Sequence, residues 1–153
     1  MGSRSALRLR KIHGVSWAQS ENIRKSMQGN RSRDTRPELS VRKLLHAAGF
    51  RYRVAARPIP TFRRTADILF SRAKVAVFID GCFWHACPEH YRAPKSHLDY
   101  WRPKIERNVS RDIETTAQLE EAGWIVLRYW SHEPSPAIAE SVADRVRATR
   151  LVD

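Results

Sequence analysis

Cysteine, acidic side chains and long apolar runs are all scarce in this sequence, and each shortage excludes a class of protein. Two cysteines among 153 residues cannot form a disulfide scaffold, so we expect reduced thiols and a cytoplasmic protein. The longest uncharged apolar runs, such as residues 75–79, are far shorter than the ~20 residues that span a bilayer, and no signal-peptide core is seen near the start. With 42% hydrophobic residues, the composition is that of one globular domain.

Positive charge is present in excess, and it is concentrated in one half of the chain. Residues 1–75 carry 18 basic and 4 acidic side chains, a net +14, whereas residues 76–153 carry 10 basic and 12 acidic side chains, a net −2. Of the 28 cations, 22 are arginine, whose planar guanidinium suits phosphates and base edges. A one-sided surplus of this kind is typical of nucleic-acid-binding proteins, although it would also serve as a solubilising surface.

Apolar periodicity and turn residues predict a mixed sheet with flanking helices, which places the chain in the α/β (α+β) class. Residues 1–19 are predicted to form a basic, flexible N-terminal arm, and residues 20–153 a single domain. Thr35 and Glu38 are placed to begin a helix that Gly49 ends. Further helices are predicted at residues 20–28, 97–102, 103–122 and 136–149, and strands at residues 50–54, 66–70, 74–80 and 124–130.

Two aspartates mark the ends of the central predicted hairpin. Asp67 lies near the start of one strand and Asp80 at the end of the next, and their midpoint at residues 73–74 coincides with the expected turn. The two carboxylates would then face each other, and like charges need a neutralising partner such as Mg²⁺. The alternative is a strand-end acid and a loop acid without a metal. Glu38 has a sufficient reason to be present as a capping residue, and a catalytic role would require the helix start to approach the hairpin.

The segment after Asp80 is rich in cysteine and histidine. Cys82, Cys87 and His90 lie within nine residues, and His132 could complete a Cys₂His₂ zinc set. The alternative is two buried thiols and two surface imidazoles. His85 is outside that set and is a candidate general base for water, with a zinc ligand or a surface histidine as the alternatives.

Aromatic residues accompany these candidate ligands. Phe83 and Trp84 lie in the same loop, and Trp101 follows on the next predicted helix. Aromatic side chains beside a basic surface can insert between base steps and kink a duplex. Packing into the core is the alternative for each of them.

Many of these residues belong to an ordered series that resembles a known family. The segments Asp80-Gly-Cys-Phe-Trp-His85 and Tyr100-Trp-x-x-Lys104-Ile105-x-x-Asn108-Val109-x-x-Asp112 are similar to the very short patch repair (Vsr) DNA mismatch endonucleases. The likeness covers about residues 20–133 and continues through Met27, Arg33-Asp-Thr35, Glu38, Arg64-x-x-Asp67-Ile68, Ala122-Gly-Trp124 and Trp130.

The resemblance implies a restriction-endonuclease-like core of the PD-(D/E)XK superfamily, a structural zinc, and Mg²⁺-dependent nicking of one DNA strand at a T·G mismatch. It implies that Asp67 binds the metal, that His85 helps to activate water, and that Glu38 lies near the metal. It also implies that Phe83, Trp84 and Trp101 intercalate beside the mismatch and that Met27 contacts DNA from the other groove. Arg64, a position of the matching series, is predicted to bind DNA as well.

The chain departs from the family pattern at two places. Some members carry a histidine where this chain has Asp80, which leaves open whether Asp80 is a metal ligand or assists the base. The zinc set has to be reassembled as Cys82, Cys87, His90 and His132, with His132 where a member carries a cysteine.

We therefore expect a bacterial, nucleoid-associated nicking endonuclease that acts on double-stranded DNA with a T·G mismatch. Mg²⁺ would be held by Asp67 and Asp80, and the products would be a 5′-phosphate and a 3′-hydroxyl. A monomer suffices because a nick needs one active site, and mismatch-repair proteins are candidate partners. Two rivals are a related nickase with another target, in defence or on modified DNA, and a non-catalytic, zinc-stabilised DNA-binding module.

Overall fold

A computed structural model describes residues 33–150 of the chain. Within this range the elements follow the α-β-β-β-α-β-α order predicted from the sequence. The helices are α1 (Arg36–Ala47), α2 (Leu98–Glu121) and α3 (Ser135–Arg150), and the strands are β1 (Arg53–Ala56), β2 (Ala66–Phe70), β3 (Val75–Asp80) and β4 (Ile125–Trp130).

The four strands form one mixed sheet in the order β1-β2-β3-β4. The β1–β2 and β2–β3 pairs are antiparallel, whereas β3 and β4 are parallel and are joined by the crossover that contains α2. All six residues of β3 are buried, which confirms the prediction of a central strand covered on both faces. The predicted class, a mixed sheet flanked by helices, is confirmed as well.

The register of the β2–β3 hairpin differs from the predicted one. Ile68 pairs with Val77, and the same register places Asp67 opposite the residue two positions before Asp80. The position of the turn explains the difference. The turn consists of residues 71–74, so the hairpin is centred between residues 72 and 73, one residue before the predicted centre at 73–74. The prediction that Asp67 and Asp80 directly face each other is wrong.

Two element boundaries also differ from the prediction. β1 begins at Arg53 and not at residue 50, because the Phe50 N–H donates to the Leu45 carbonyl at the end of α1, at 3.0 Å, and is not available for a strand ladder. The Phe50 ring packs edge-on against Phe70 in the core. α2 is one continuous helix where two were predicted. Pro103 lies in its second turn and removes one backbone hydrogen bond there without ending the helix.

Apolar cores lie on both faces of the sheet. α1 and α3 cover one face through buried residues such as Val41, Leu45 and Val142. α2 covers the other face through Leu119, which packs with Phe78 of β3. β3 is thereby held between two packed layers, and the position of its last residue is fixed by both of them.

No helix within residues 33–150 is long and apolar enough to cross a membrane. The predicted arm of residues 1–19, the predicted helix at residues 20–28 and Met27 lie outside the described residues. These assignments, and the domain limits of 20–153, stay predictions.

Candidate active site

The candidate site lies where the parallel strands β3 and β4 end. Asp80 is the last residue of β3, and its backbone carbonyl accepts the N–H of Ser131, just after β4, at 2.9 Å. The irregular loop of residues 81–97 begins at the same point and leads to α2. Open α/β sheets bind ligands at this edge, because strand ends and loops converge there.

His85 lies between two carboxylates in this loop. Its Nδ1 is hydrogen-bonded to Oδ2 of Asp112 on α2 and lies 3.8 Å from Oδ1 of Asp80. Burial lowers the pKa of His85, but the hydrogen bond to Asp112 and the charge of Asp80 outweigh burial and hold the pKa above its usual value. Because Nδ1 is engaged, Nε2 is the ring nitrogen left for proton transfer.

Arg128, in the middle of β4, binds the same two carboxylates. Its Nε and Nη2 donate to the two oxygens of Asp80 at 2.9 and 3.0 Å, and Nη2 lies 2.9 Å from Oδ1 of Asp112. Its guanidinium carbon also stacks 4.6 Å from the ring centroid of Phe78. The neutralising partner that Asp80 requires is thus an arginine of the chain itself.

Asp67 has a different environment from Asp80. Its Oδ2 accepts the backbone N–H of Ile79 at 2.7 Å. Burial raises the pKa of Asp67 to about 7; the Ile79 hydrogen bond opposes this rise, and the charges of Glu38 and Asp80 add to it. A buried carboxylate among other acids favours either a proton or a bound cation.

Glu38 is buried at the start of α1, where it contacts the preceding residues. Its two carboxylate oxygens accept the Thr35 hydroxyl and the Asp34 N–H, both at 2.8 Å. These contacts hold the helix start together, which is the role expected of a capping residue. The charge of Glu38 nevertheless contributes to the raised pKa of Asp67, and Val41, one turn further along the helix, shares a core cluster with Ile68 of the hairpin.

The four candidate zinc ligands converge beside the loop. One ligand atom from each of Cys82, Cys87, His90 and His132 lies within 4.8 Å of all the others. Nδ1 of His132 is 3.2 Å from the Cys82 sulfur and 3.7 Å from the Cys87 sulfur, and Nδ1 of His90 is 3.8 Å from Cys87. Burial raises the pKa of the Cys87 thiol, but hydrogen bonds from the His90 and Glu89 backbone and from the His90 ring outweigh it and lower the pKa.

The loop aromatics form a cluster with α2. Ring centroids are 5.2 Å apart for Phe83 and Trp84, 5.5 Å for Phe83 and Trp101, and 5.7 Å for Trp84 and Trp101. All three side chains belong to half-buried residues. Nζ of Lys104 lies 5.1 Å from the Trp84 ring centroid, and Asn108 donates to the Trp84 carbonyl at 3.0 Å. These aromatics are therefore neither core residues nor free surface groups.

Arg64 is held by α2. Its guanidinium donates to the Thr115 hydroxyl and to the Arg111 carbonyl, and it pairs with Glu114 at 3.3 Å. These contacts tie the loop between β1 and β2 to the helix. The DNA contact predicted for Arg64 stays a prediction.

Two residues of the site had no role in the sequence prediction. Asp112 was only one position in the family-like series, and nothing in its spacing of 27 residues from His85 indicates a contact. Arg128 did leave a signal, since it is the one charged residue in the strand Ile125–Trp130. A charged residue inside a strand between apolar neighbours commonly has a buried partner.

A histidine oriented by an aspartate can act as a general base, and the strongly basic chain suits a nucleic-acid substrate. Comparison with known proteins gives the family: the family model described as DNA mismatch endonuclease Vsr matches residues 15–90. Together with the relatives described next, this match shows that the chain belongs to this family and is a DNA endonuclease.

Several relatives are named nicking enzymes. The type II nicking enzyme V.NaeI of Lentzea aerocolonigenes is 45% identical over 122 residues, which are 78% of this chain and 74% of the relative. V.NmeDIP of Neisseria meningitidis serogroup C is 42% identical over 132 residues, 83% of this chain and 87% of the relative. The DNA mismatch endonuclease Vsr of Escherichia coli K12 is 32% identical over 107 residues, 69% of this chain and 67% of the relative.

Proposed function

We propose that this endonuclease makes a Mg²⁺-dependent nick in one strand of double-stranded DNA at a T·G mismatch. The observation that supports this best is the His85–Asp112 pair beside Asp80, at a sheet edge where Asp67 is also buried. A base and carboxylates at one strand edge are what phosphodiester hydrolysis requires. The proposal includes a restriction-endonuclease-like (PD-(D/E)XK) core, supported by the mixed sheet with acidic residues on β2 and β3.

Asp67 is the residue best suited to hold Mg²⁺. Its buried carboxylate carries only one hydrogen bond from the described part of the chain, and the charges of Glu38 and Asp80 raise its pKa. A hard cation would relieve this repulsion, and carboxylate oxygen is the ligand it prefers. Asp80 is the second proposed ligand, although both of its oxygens already accept from Arg128. Mg²⁺ at this place would stabilise the negative charge that develops on the scissile phosphate.

His85 takes the proton from the attacking water in this proposal. Asp112 holds Nδ1 and so leaves Nε2 as the acceptor, which is the arrangement of a base oriented by a carboxylate. Glu38 remains a proposed participant near Asp67, through its charge. Hydrolysis in this sense would leave a 5′-phosphate and a 3′-hydroxyl.

A structural zinc is proposed at Cys82, Cys87, His90 and His132. Tetrahedral zinc with bonds of about 2.3 Å to sulfur and about 2.1 Å to nitrogen sets its ligand atoms about 3.4–3.8 Å apart. The sulfur–nitrogen distances of 3.7 and 3.8 Å lie in this range, and the third, 3.2 Å between Cys82 and His132, is slightly shorter. Zinc would join the loop to the end of β4 and so keep His85 near Asp112.

Selectivity is assigned to the aromatic cluster of Phe83, Trp84 and Trp101. Half-buried rings in a loop of a strongly basic chain can enter a duplex where pairing is weak, because a mismatched step costs less to unstack. Met27 and Arg64 are proposed as further DNA contacts. We propose a monomer that acts at nucleoid DNA, with mismatch-repair proteins as partners.

A second candidate is a nickase with another target. It is favoured by the relatives that are 39–45% identical, all of which are named type II nicking enzymes, whereas the relative named for mismatches is 32% identical. The catalytic apparatus would be the same in both cases. The two candidates differ only in the duplex that is cut.

A panel of labelled duplexes tests the proposal. Wild type and Asp67→Asn are incubated with a T·G duplex and with its matched T·A duplex, each in Mg²⁺ and in EDTA. We expect a nick in one strand of the T·G duplex, in Mg²⁺ only, with wild type only. Equal cutting of both duplexes would exclude mismatch repair and favour the second candidate. Cutting in EDTA, or by Asp67→Asn, would exclude the proposed metal site.

A further inference from the structure

Arg128 contacts several groups of the candidate site, although the proposed function gives it no role. Its guanidinium binds both oxygens of Asp80, pairs with Asp112, and donates to the Thr116 hydroxyl at 3.3 Å. Phe78 stacks under it, and only 22% of the side chain is exposed. A guanidinium held on so many sides has one orientation, and the groups that it binds share that restriction.

The two carboxylates that Arg128 binds are also the two that compete for His85. Nδ1 of His85 bonds to Asp112, yet Oδ1 of Asp80 is only 3.8 Å away. If Asp80 took this N–H, the ring would turn, and Nε2 would point in a different direction. Nε and Nη2 of Arg128 bind the two oxygens of Asp80 and so fix the orientation of this carboxylate, in which its Oδ1 stays 3.8 Å from Nδ1 of His85.

We propose that Arg128 is a positioning residue that keeps Asp80 away from His85 and orients Asp112, so that the imidazole keeps one orientation. This inference rests on the proposed nicking reaction in which His85 takes a proton from water. Arg128 itself need not touch DNA. Its effect passes through Asp80 and Asp112 to the direction of Nε2.

The inference predicts a particular pattern of loss and rescue. Arg128→Met leaves Asp80 without its partner, and the freed carboxylate then competes with Asp112 for Nδ1. We expect kcat for nicking to fall by about 100-fold, the lower end of what a general base contributes. KM for the duplex should change by less than about threefold, because binding to the substrate is not altered.

Removing the competing carboxylate should restore activity. At saturating Mg²⁺ the double variant Asp80→Asn/Arg128→Met should be at least about tenfold faster than Arg128→Met alone, since the neutral amide keeps one oxygen for the proposed cation but competes less well for the imidazole N–H. Arg128→Lys should be intermediate, because lysine keeps the charge but cannot bind both oxygens of Asp80 in a fork. Arg145→Met, an exposed arginine on α3, is the matched control and should leave kcat unchanged.

The experiment uses the full chain and the duplex that wild type cuts. Steady-state rates over a range of duplex concentrations give kcat and KM, and a single-turnover rate separates the chemical step from product release. All are measured at a temperature where circular dichroism shows every variant to be folded, so that a loss of stability does not count as a loss of rate. A double variant no faster than Arg128→Met, or an equal rise in KM, would overturn the inference. If wild type cuts a duplex without a T·G mismatch, the mismatch proposal fails, and the same comparison on that duplex still decides the role of Arg128.

Discussion

Three carboxylates at the end of the sheet differ in their partners, and the partners decide what each can do. Asp80 is bound to Arg128 through both oxygens, Asp112 is shared by Arg128 and His85, and Asp67 accepts the backbone N–H of Ile79. Asp67 is the carboxylate with a raised pKa, about 7. Asp80 is thus held by an arginine, Asp112 contacts the proposed base, and Asp67 is the candidate cation ligand.

The raised pKa of Asp67 predicts a stability that depends on pH. The folded-state pKa of about 7 lies above the ordinary 3.8, so the folded chain holds this proton more tightly than the unfolded chain. Stability from this group is complete below pH ~4 and is lost as pH rises through about 7. Asp67→Asn mimics the protonated acid. Without divalent cations it should be more stable than wild type by up to about 4 kcal/mol at pH ~8, and the gap should close towards pH ~4.

Urea unfolding of both proteins at several pH values measures this gap. Mg²⁺ at pH ~8 should stabilise wild type by mass action and leave Asp67→Asn unchanged. A gap that does not vary with pH would contradict the assignment of the raised pKa to Asp67. Stabilisation of both proteins by Mg²⁺ would place the ion elsewhere.

The loop of residues 81–97 lacks regular structure, and at the scale of elements its order has to come from specific contacts. The Cys87 N–H donates to the Cys82 carbonyl and the Tyr91 N–H donates to the Cys87 carbonyl, both at 2.9 Å, and each hydrogen bond closes one turn. The side chains of the same cysteines meet His132 from the end of β4. The loop is thus tied to a residue 50 positions beyond Cys82, and any ion bound there would strengthen that tie.

We predict that the loop depends on zinc. Protein purified without chelator should contain about one zinc per chain, and Cys87→Ser should contain far less. Ser131→Ala is the matched control, because Ser131 contacts the Cys82 sulfur at 3.6 Å without belonging to the ligand set. Removal of the metal should increase hydrogen exchange at the Cys87 and Tyr91 amides. Wild type with far less than one zinc per chain would refute the site.

The charge distribution is a property of the whole molecule and concerns DNA affinity rather than chemistry. The net +14 of residues 1–75 exceeds the +12 of the entire chain, so the second half contributes no net attraction to phosphate. Binding that depends on cations is weakened by salt, because the neutralisation of each phosphate releases counterions.

We predict that the basic arm carries part of this salt dependence. The first 19 residues contain four basic and no acidic side chains, namely Arg4, Arg8, Arg10 and Lys11. Replacing all four by glutamine keeps the length and removes the charge. The slope of log affinity against log salt, measured with a duplex in EDTA, should become shallower by up to about 3–4, since each phosphate that these cations neutralise contributes ~0.9 to it. An unchanged slope would show that these cations do not bind phosphates.

The sequence by itself determined the class of the fold, the order of the elements and the family. The spacing of apolar residues is a pattern among residues close in the chain. The boundaries of α1, of the strands β2 and β3 and of α3 were therefore predicted to within a few residues. The local spacing of Cys82, Cys87 and His90 also predicted a zinc site, and that site stays a prediction. The residues that carry the family likeness also lie in local motifs, such as the one from Asp80 to His85.

The tertiary structure alone decided which charges meet. The hairpin register depends on turn geometry, and a shift of one residue in the turn separated Asp67 from the position opposite Asp80. Asp112 and Arg128 lie 27 and 43 residues beyond His85 in the sequence, and they meet at the site only because α2 packs across the sheet and β4 pairs in parallel with β3. The interaction energy of two charges depends on the distance between them and on their burial in the folded protein, and local sequence patterns predict neither.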